Sequence, residues 1–187
     1  NDIKRSQTDA HGKIDHEKGA AKVESTKKDP NFQRLMSRLQ LIDLLCLQID
    51  RGPQNYFVQY NAAGKVIGVT GIDNDLSFGR AVGNETNNFD GKFKAQELPG
   101  ISRYVDKDMA QRIINLNPSL LHIAVGHLLS PDEMNALIQR LTLLQAALSK
   151  AETKLLEPDQ WGEHIEHVIN ETHEGSFASR NYVGNLQ

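Results

Sequence analysis

The chain holds a single cysteine, Cys46, in 187 residues. An internal disulfide is therefore excluded, which fits a reducing compartment or a fold with no need of bridges. Cys46 lies in an apolar helical run and is expected to be a small buried core residue. No apolar run is long enough to cross a bilayer, and no signal-peptide pattern is present. There is no excess of positive charge either. Lys and Arg total 21 against 24 Asp and Glu, a net charge of -3, so bulk electrostatics does not favour nucleic acid. Large apolar residues are nearly missing from Asn1 to Lys28, where only Ile3, Ile14 and Val23 occur. Residues 1–28 cannot bury enough surface to offset their ordering entropy, so a disordered lead or a docked strap is expected. Their cations alternate with acids, which makes a solvated segment rather than a basic arm. The first residue is not Met, so a fragment or a processed chain is expected.

What remains fits one domain plus a tail, at 39% hydrophobic residues. Asp29-Pro30-Asn31 is a helix start, with an acid to cap and proline in the first turn. Phe32, Leu35, Met36, Leu39, Ile42, Leu45 and Cys46 then recur at helical steps and run straight into Asp50. Arg51-Gly52-Pro53 breaks the helix. Tyr56–Tyr60 and Lys65–Thr70 read as two strands joined by the turn Asn61-Ala62-Ala63-Gly64. Residues 79–88 are a Gly/Asn-rich loop, and 96–105 a mixed connector. Helices are expected after Asp106, after Asn117-Pro118, and after Ser130-Pro131-Asp132-Glu133, which has the form of a capping box. Pro158 opens a last amphipathic stretch with Trp161, Ile165, Val168 and Ile169. The expected fold is α+β and mostly helical: a catalytic-loop hairpin with a helical bundle over 29–174, and a flexible tail over 175–187.

The stretch Leu41–Gly79 carries the chemistry. Asp50, Asn55 and Asp73 are an acid, an amide five positions on, and a second acid after a hairpin. Phosphoryl transfer needs little covalent work from a protein. It needs Mg²⁺ held against phosphates and a carboxylate near the attacking hydroxyl. Mg²⁺ favours hard oxygen donors, one or two of them from the protein. Asp50 is expected to face the acceptor hydroxyl as base or orienting group. Asn55 offers an amide oxygen to the metal without adding charge, and Asp73 is the main carboxylate ligand. Arg51, the cation beside Asp50, is assigned to cofactor binding. The bland alternatives are a helix-ending Asp50 paired with Arg51 or backbone amides, and turn chemistry for Asn55 and Asp73.

Asp-Arg-Gly-x-x-Asn-(aromatic)-x-Val at Asp50–Val58, followed by Gly-Ile-Asp-Asn-x-Leu-x-Phe at Gly71–Phe78, resembles the type II phosphatidylinositol 4-kinases. More broadly it is similar to the lobe shared by phosphoinositide 3/4-kinase-like and atypical protein kinases. The resemblance implies a kinase-like C-lobe that binds ATP and Mg²⁺, with Asp50 catalytic and Asn55 and Asp73 on metal. It covers about forty of the 187 residues. The sequence departs from the family before the catalytic helix, where an N-lobe with a Gly-rich loop and a strand lysine is expected. Gly19-Ala20-Ala21-Lys22-Val23 is the only glycine-then-lysine run there, and it lacks strand neighbours. The expectation is a chain whose N-lobe was cut away or is supplied by a partner chain, or else a protein that does not bind ATP in the usual manner.

The resulting expectation is a phosphotransferase that moves the ATP γ-phosphoryl to a lipid or protein hydroxyl. It would be cytoplasmic, or delivered into a host cytosol if it is an effector. The rivals are a non-catalytic kinase-like module that binds through its helices, and another nucleotide-dependent transfer on the same site. His164, His167 and His173 with Glu163 and Glu166 have permissive metal spacing, but a solvated polar face opposite Trp161, Ile165, Val168 and Ile169 is the favoured reading. Arg80 is placed to reach phosphates or an acidic partner, with a plain surface role equally open, and Asp75 to add a carboxylate or a turn. The Leu-rich face of Met134–Leu148 reads as core.

Overall fold

A computed structural model describes residues 7–48, 51, 55–80, 104–150 and 153–162. The organising element is helix α2, Pro30–Cys46. Asp29 caps it, accepting from the amides of Asn31 and Phe32 at 2.9 and 3.3 Å. The second oxygen of the same carboxylate accepts from Val66 N at 3.1 Å, so one side chain starts the helix and ties it to the hairpin. The hairpin is β1, Tyr56–Tyr60, antiparallel to β2, Val66–Gly71. The Asn61 carboxamide oxygen accepts from Ala63 N and Lys65 N, and Gly64 takes the left-handed conformation that closes the turn.

The two halves of α2 bury different faces. Phe32 and Met36 pack with Tyr56 and Val66 of the hairpin. Leu41 and Leu45 join the main core with Val105, Ala110, Ile113, Met134, Leu137, Leu141, Leu144 and Leu148. That core is built by α3 (Lys107–Ile114), α5 (Pro131–Leu148), and a short parallel pair, β3 (Tyr104–Asp106) with β4 (Lys154–Leu156). Helix α4, Pro118–Val125, lies between α3 and α5 in sequence. The fold of the described residues is α+β and mostly helical. No helix among them is long and apolar enough to cross a membrane.

Within the polar lead, helix α1, His16–Lys27, docks by burying Val23 and Thr26, and Thr26 Oγ1 lies 2.7 Å from the Tyr60 hydroxyl. One expectation changes. The connector before α3 ends in strand β3, because residues 154–156 arrive beside it. Of the stretch from Pro158, the described residues form a 3₁₀ turn, Pro158–Gln160, after which Trp161 is extended and buried; Ile165, Val168 and Ile169 lie outside them. The histidines and acids from 163 onward, the loop over 81–88, most of the 96–105 connector and the tail lie outside the described residues.

The capping box of α5 is formed as expected. Ser130 N and Oγ both donate to Glu133 Oε2, at 2.8 and 2.7 Å. The Ser130 hydroxyl and amide hold the Glu133 carboxyl below its ordinary value of 4.5, with a smaller contribution from Arg80. A lowered folded pKa gives stability that is present above the ordinary value and lost as pH falls through the folded one. Glu133→Ala is therefore expected to cost about 1 kcal/mol at pH 7. The gap to the parent should narrow as denaturation is followed below pH 4.5. A difference that does not change with pH would show that the carboxylate is not the capping group.

Candidate active site

The last turn of α2 leaves carbonyls without helical partners. Here they are covered by the segment that follows β2 and by α5. Phe78 N donates to Cys46 O at 2.6 Å, and Arg140 Nε of α5 donates to Leu45 O at 3.0 Å. Leu47 closes the helix in the left-handed region, at φ 55°. Such a backbone costs an ordinary residue roughly 1–2 kcal/mol, and burial of the Leu47 side chain offsets it. Asp73 and Phe78 are also left-handed, at φ 55° and 63°. All the non-glycine residues of positive φ among those described thus fall on the helix end and the post-hairpin segment. Strained backbone of this kind concentrates at functional sites.

Hairpin register brings the two motifs together. Tyr56 pairs with Gly71, and Ile72 N donates to Asn55 O at 2.9 Å. Asn55 therefore faces Ile72 across the open end of the hairpin, one residue from Asp73. Asn55 is buried and Asp73 exposed. Gln48 Nε2 donates to Asp73 O at 2.7 Å, which holds that residue against the end of α2. Asp50 lies outside the described residues.

Arg51, assigned to the cofactor from its place in the loop, sits in a different setting. It is 2% exposed. Its Nε and Nη2 form a fork on the buried Asp43 carboxylate, at 2.9 and 3.0 Å. Nη1 donates to Asn55 O and, at 2.6 Å, to Ile72 O. Nη2 also donates to Asn74 Oδ1 at 2.5 Å. The five N–H donors of a guanidinium all meet protein acceptors. Arg51 is thus a clamp that joins the Asp-Arg-Gly loop to the Ile-Asp-Asn motif, rather than a group turned toward a nucleotide. Its planar fork is what permits this; a lysine has neither the geometry nor the donor count.

Gly71 makes room for the clamp. A Cβ there would stand 2.8 Å from Arg51 Nη2 and 2.9 Å from Cζ. The guanidinium cannot swing away without losing its acceptors, so Gly71→Ala is expected to destabilise by about 1–3 kcal/mol, in the range of overpacking. Gly68→Ala is the control. Its Cβ would meet Gln59 Oε1 at 2.5 Å, but Gln59 is exposed and free to rotate away. Melting temperatures that fall equally for both variants would count against the clamp.

Sequence reading did not find Asp43, Gln48, Asn74 or Arg140. The available signal was an acid inside the apolar run Leu41–Leu47, a hint that a buried cation must meet it. Lys22 lies at the closed end of the hairpin, with its ammonium 4.0 Å above the Tyr60 ring and donating to Gly64 O, remote from Asp73. Arg80 makes an exposed pair with Asp132 at 3.6 Å, a type worth about 0–1 kcal/mol. Cys46 is half-buried rather than fully buried, and burial, aided by the nearby Asp43, pushes its thiol up to about 11.

Mg²⁺ takes few protein ligands, mostly hard oxygens; Asp73 is an exposed carboxylate of that type and Asn55 a buried amide. Among the described residues, no group of three or more His, Cys, Asp or Glu could hold a metal ion. Comparison with protein-family models, curated proteins and solved structures finds no match to this chain.

Proposed function

We propose that the chain is a kinase-like C-lobe that transfers the γ-phosphoryl of ATP to a hydroxyl on a lipid or protein. The observation that carries this reading is the Arg51 clamp, which joins the two motifs and brings Asn55 across from the residue before Asp73. Asn55 and Asp73 would hold Mg²⁺, which when bound neutralises charge on the phosphate oxygens. Asp50 accepts the proton of the attacking hydroxyl. A new O–P bond forms as the β–γ bridging P–O bond breaks, and ADP leaves. Arg51 and Gln48 position the backbone on which the acids stand. The phosphate-covering lobe would come from a partner chain or from sequence outside these residues. The cytosol is the compartment proposed, as the place where ATP and reduced thiols coexist.

Turnover of Mg²⁺-ATP tests the proposal, measured with lipid and protein acceptors, with nucleotide binding followed separately. Binding or turnover that depends on Asp73 supports it. Absence of both, with and without a supplied N-lobe, would overturn it.

One observation favours the rival binding module. Helix α4 has no buried residue, and Leu120, Ile123 and nearby Leu128 are 55%, 77% and 71% exposed. An exposed apolar face of this kind suits a partner surface. The same binding measurement separates the two readings, because a module needs no nucleotide.

A further inference from the structure

Helix α5, which supplies Leu137, Leu141 and Leu144 to the main core, also carries Arg140, which is 1% exposed. Burial of a guanidinium is costly. Burial pulls the Arg140 pKa down from 12.5 to about 10, so it is still a cation at neutral pH. Leucine or methionine would fill the place without that cost, so packing alone is a poor account of it.

The contacts of Arg140 suggest what the cation is for. The segment from Ile72 to Gly79, which holds Asp73, is pinned at several points. Arg51 takes Ile72 O at 2.6 Å, Gln48 takes Asp73 O at 2.7 Å, and Cys46 O takes Phe78 N at 2.6 Å. These pins come from α2 and the loop after it. The Gly79 end is held by Arg140 Nη1, which donates to Gly79 O at 2.8 Å, while Nε of the same side chain donates to Leu45 O at 3.0 Å. One rigid fork therefore sets the distance between the end of α2 and the end of the Asp73 segment, and it does so from the helical bundle.

We infer that Arg140 is a positioning residue: it couples α5 to the orientation of the segment that carries Asp73. The consequence for turnover rests on the phosphotransferase reading; the structural coupling does not.

Amide hydrogen exchange on the full chain separates these. In Arg140→Met, exchange at Phe78 is expected to rise about 10-fold or more through local opening, with the amides of β1 and β2 unchanged. Arg140→Lys keeps the charge without the fork and should show the same pattern more weakly; it decides the question alone if Arg140→Met does not fold. Unchanged exchange at Phe78, or one uniform rise across all protected amides, overturns the inference. If the chain turns over ATP, both variants should lose kcat more than KM, because a displaced acid is felt in the transition state. Local loosening without any turnover in the parent would uphold the coupling and count against the phosphotransferase reading.

Discussion

Arg51→Ala is expected to destabilise the protein by about 3–5 kcal/mol, the cost of leaving one half of a buried ion pair without the other. Asp43 is 4% exposed, so its carboxylate would be left in the interior facing a void. The acceptors at Asn55, Ile72 and Asn74 would lose their donor in the same step. Arg51→Lys should recover little of this, because one ammonium cannot form a fork on Asp43 and also reach Ile72 O. Asp43→Leu in the Arg51→Met background should recover part of the loss, since removing both charges removes the desolvation penalty. Recovery should be incomplete, because the carbonyls at Asn55 and Ile72 remain unserved. Urea unfolding of the single and double variants measures the coupling. A loss below about 1 kcal/mol for Arg51→Ala, the level of an ordinary surface change, would show that the clamp does not hold the two motifs together.

The second large effect concerns turnover rather than stability. Asp50→Asn is expected to keep nucleotide binding and lose about 10²-fold or more in rate, the lower range for a general base. Asp73→Asn should weaken Mg²⁺-ATP binding itself. Asparagine is a better replacement than alanine there. Asp73 has φ 55°, and asparagine tolerates that conformation while alanine adds strain. Asp73 is exposed, so removing its charge should leave unfolding nearly unchanged. A loss of binding at constant stability therefore assigns Asp73 to the ligand. Unchanged turnover in Asp50→Asn would remove Asp50 from the role, and unchanged binding in Asp73→Asn would remove the metal assignment.

The helices were legible in the sequence where their signals are local. Asp29 before Pro30, Asp106 before α3, Asn117 before Pro118 and Ser130 before Pro131 each cap the helix they announce. The turn Asn61–Gly64 and its flanking strands were legible for the same reason: turn chemistry and strand composition sit within a few residues. Pro158 opens a 3₁₀ turn before an extended Trp161, and the rest of that apolar period lies outside the described residues. Strand β3 gave no signal, since three residues show no period and its partner lies about fifty residues away.

At the candidate site, residue types alone pointed to Asp50, Asn55 and Asp73, and the hairpin between the motifs implied that the last two would meet. The place of Arg51 was not legible. A guanidinium in a loop looks alike whether it faces a phosphate or a buried carboxylate, and the choice depends on which acceptors the fold brings within reach. Its acceptors run from Asp43 to Asn74, and those of Arg140 are Leu45 and Gly79. By itself, then, the sequence determined the capped helices, the hairpin and the candidate acids, because these follow from neighbours along the chain. Only the tertiary structure decided that Arg51 clamps, that Arg140 pins and that α1 docks, because a buried charge or an uncovered carbonyl is satisfied by whatever the folded chain places within about 3 Å of it.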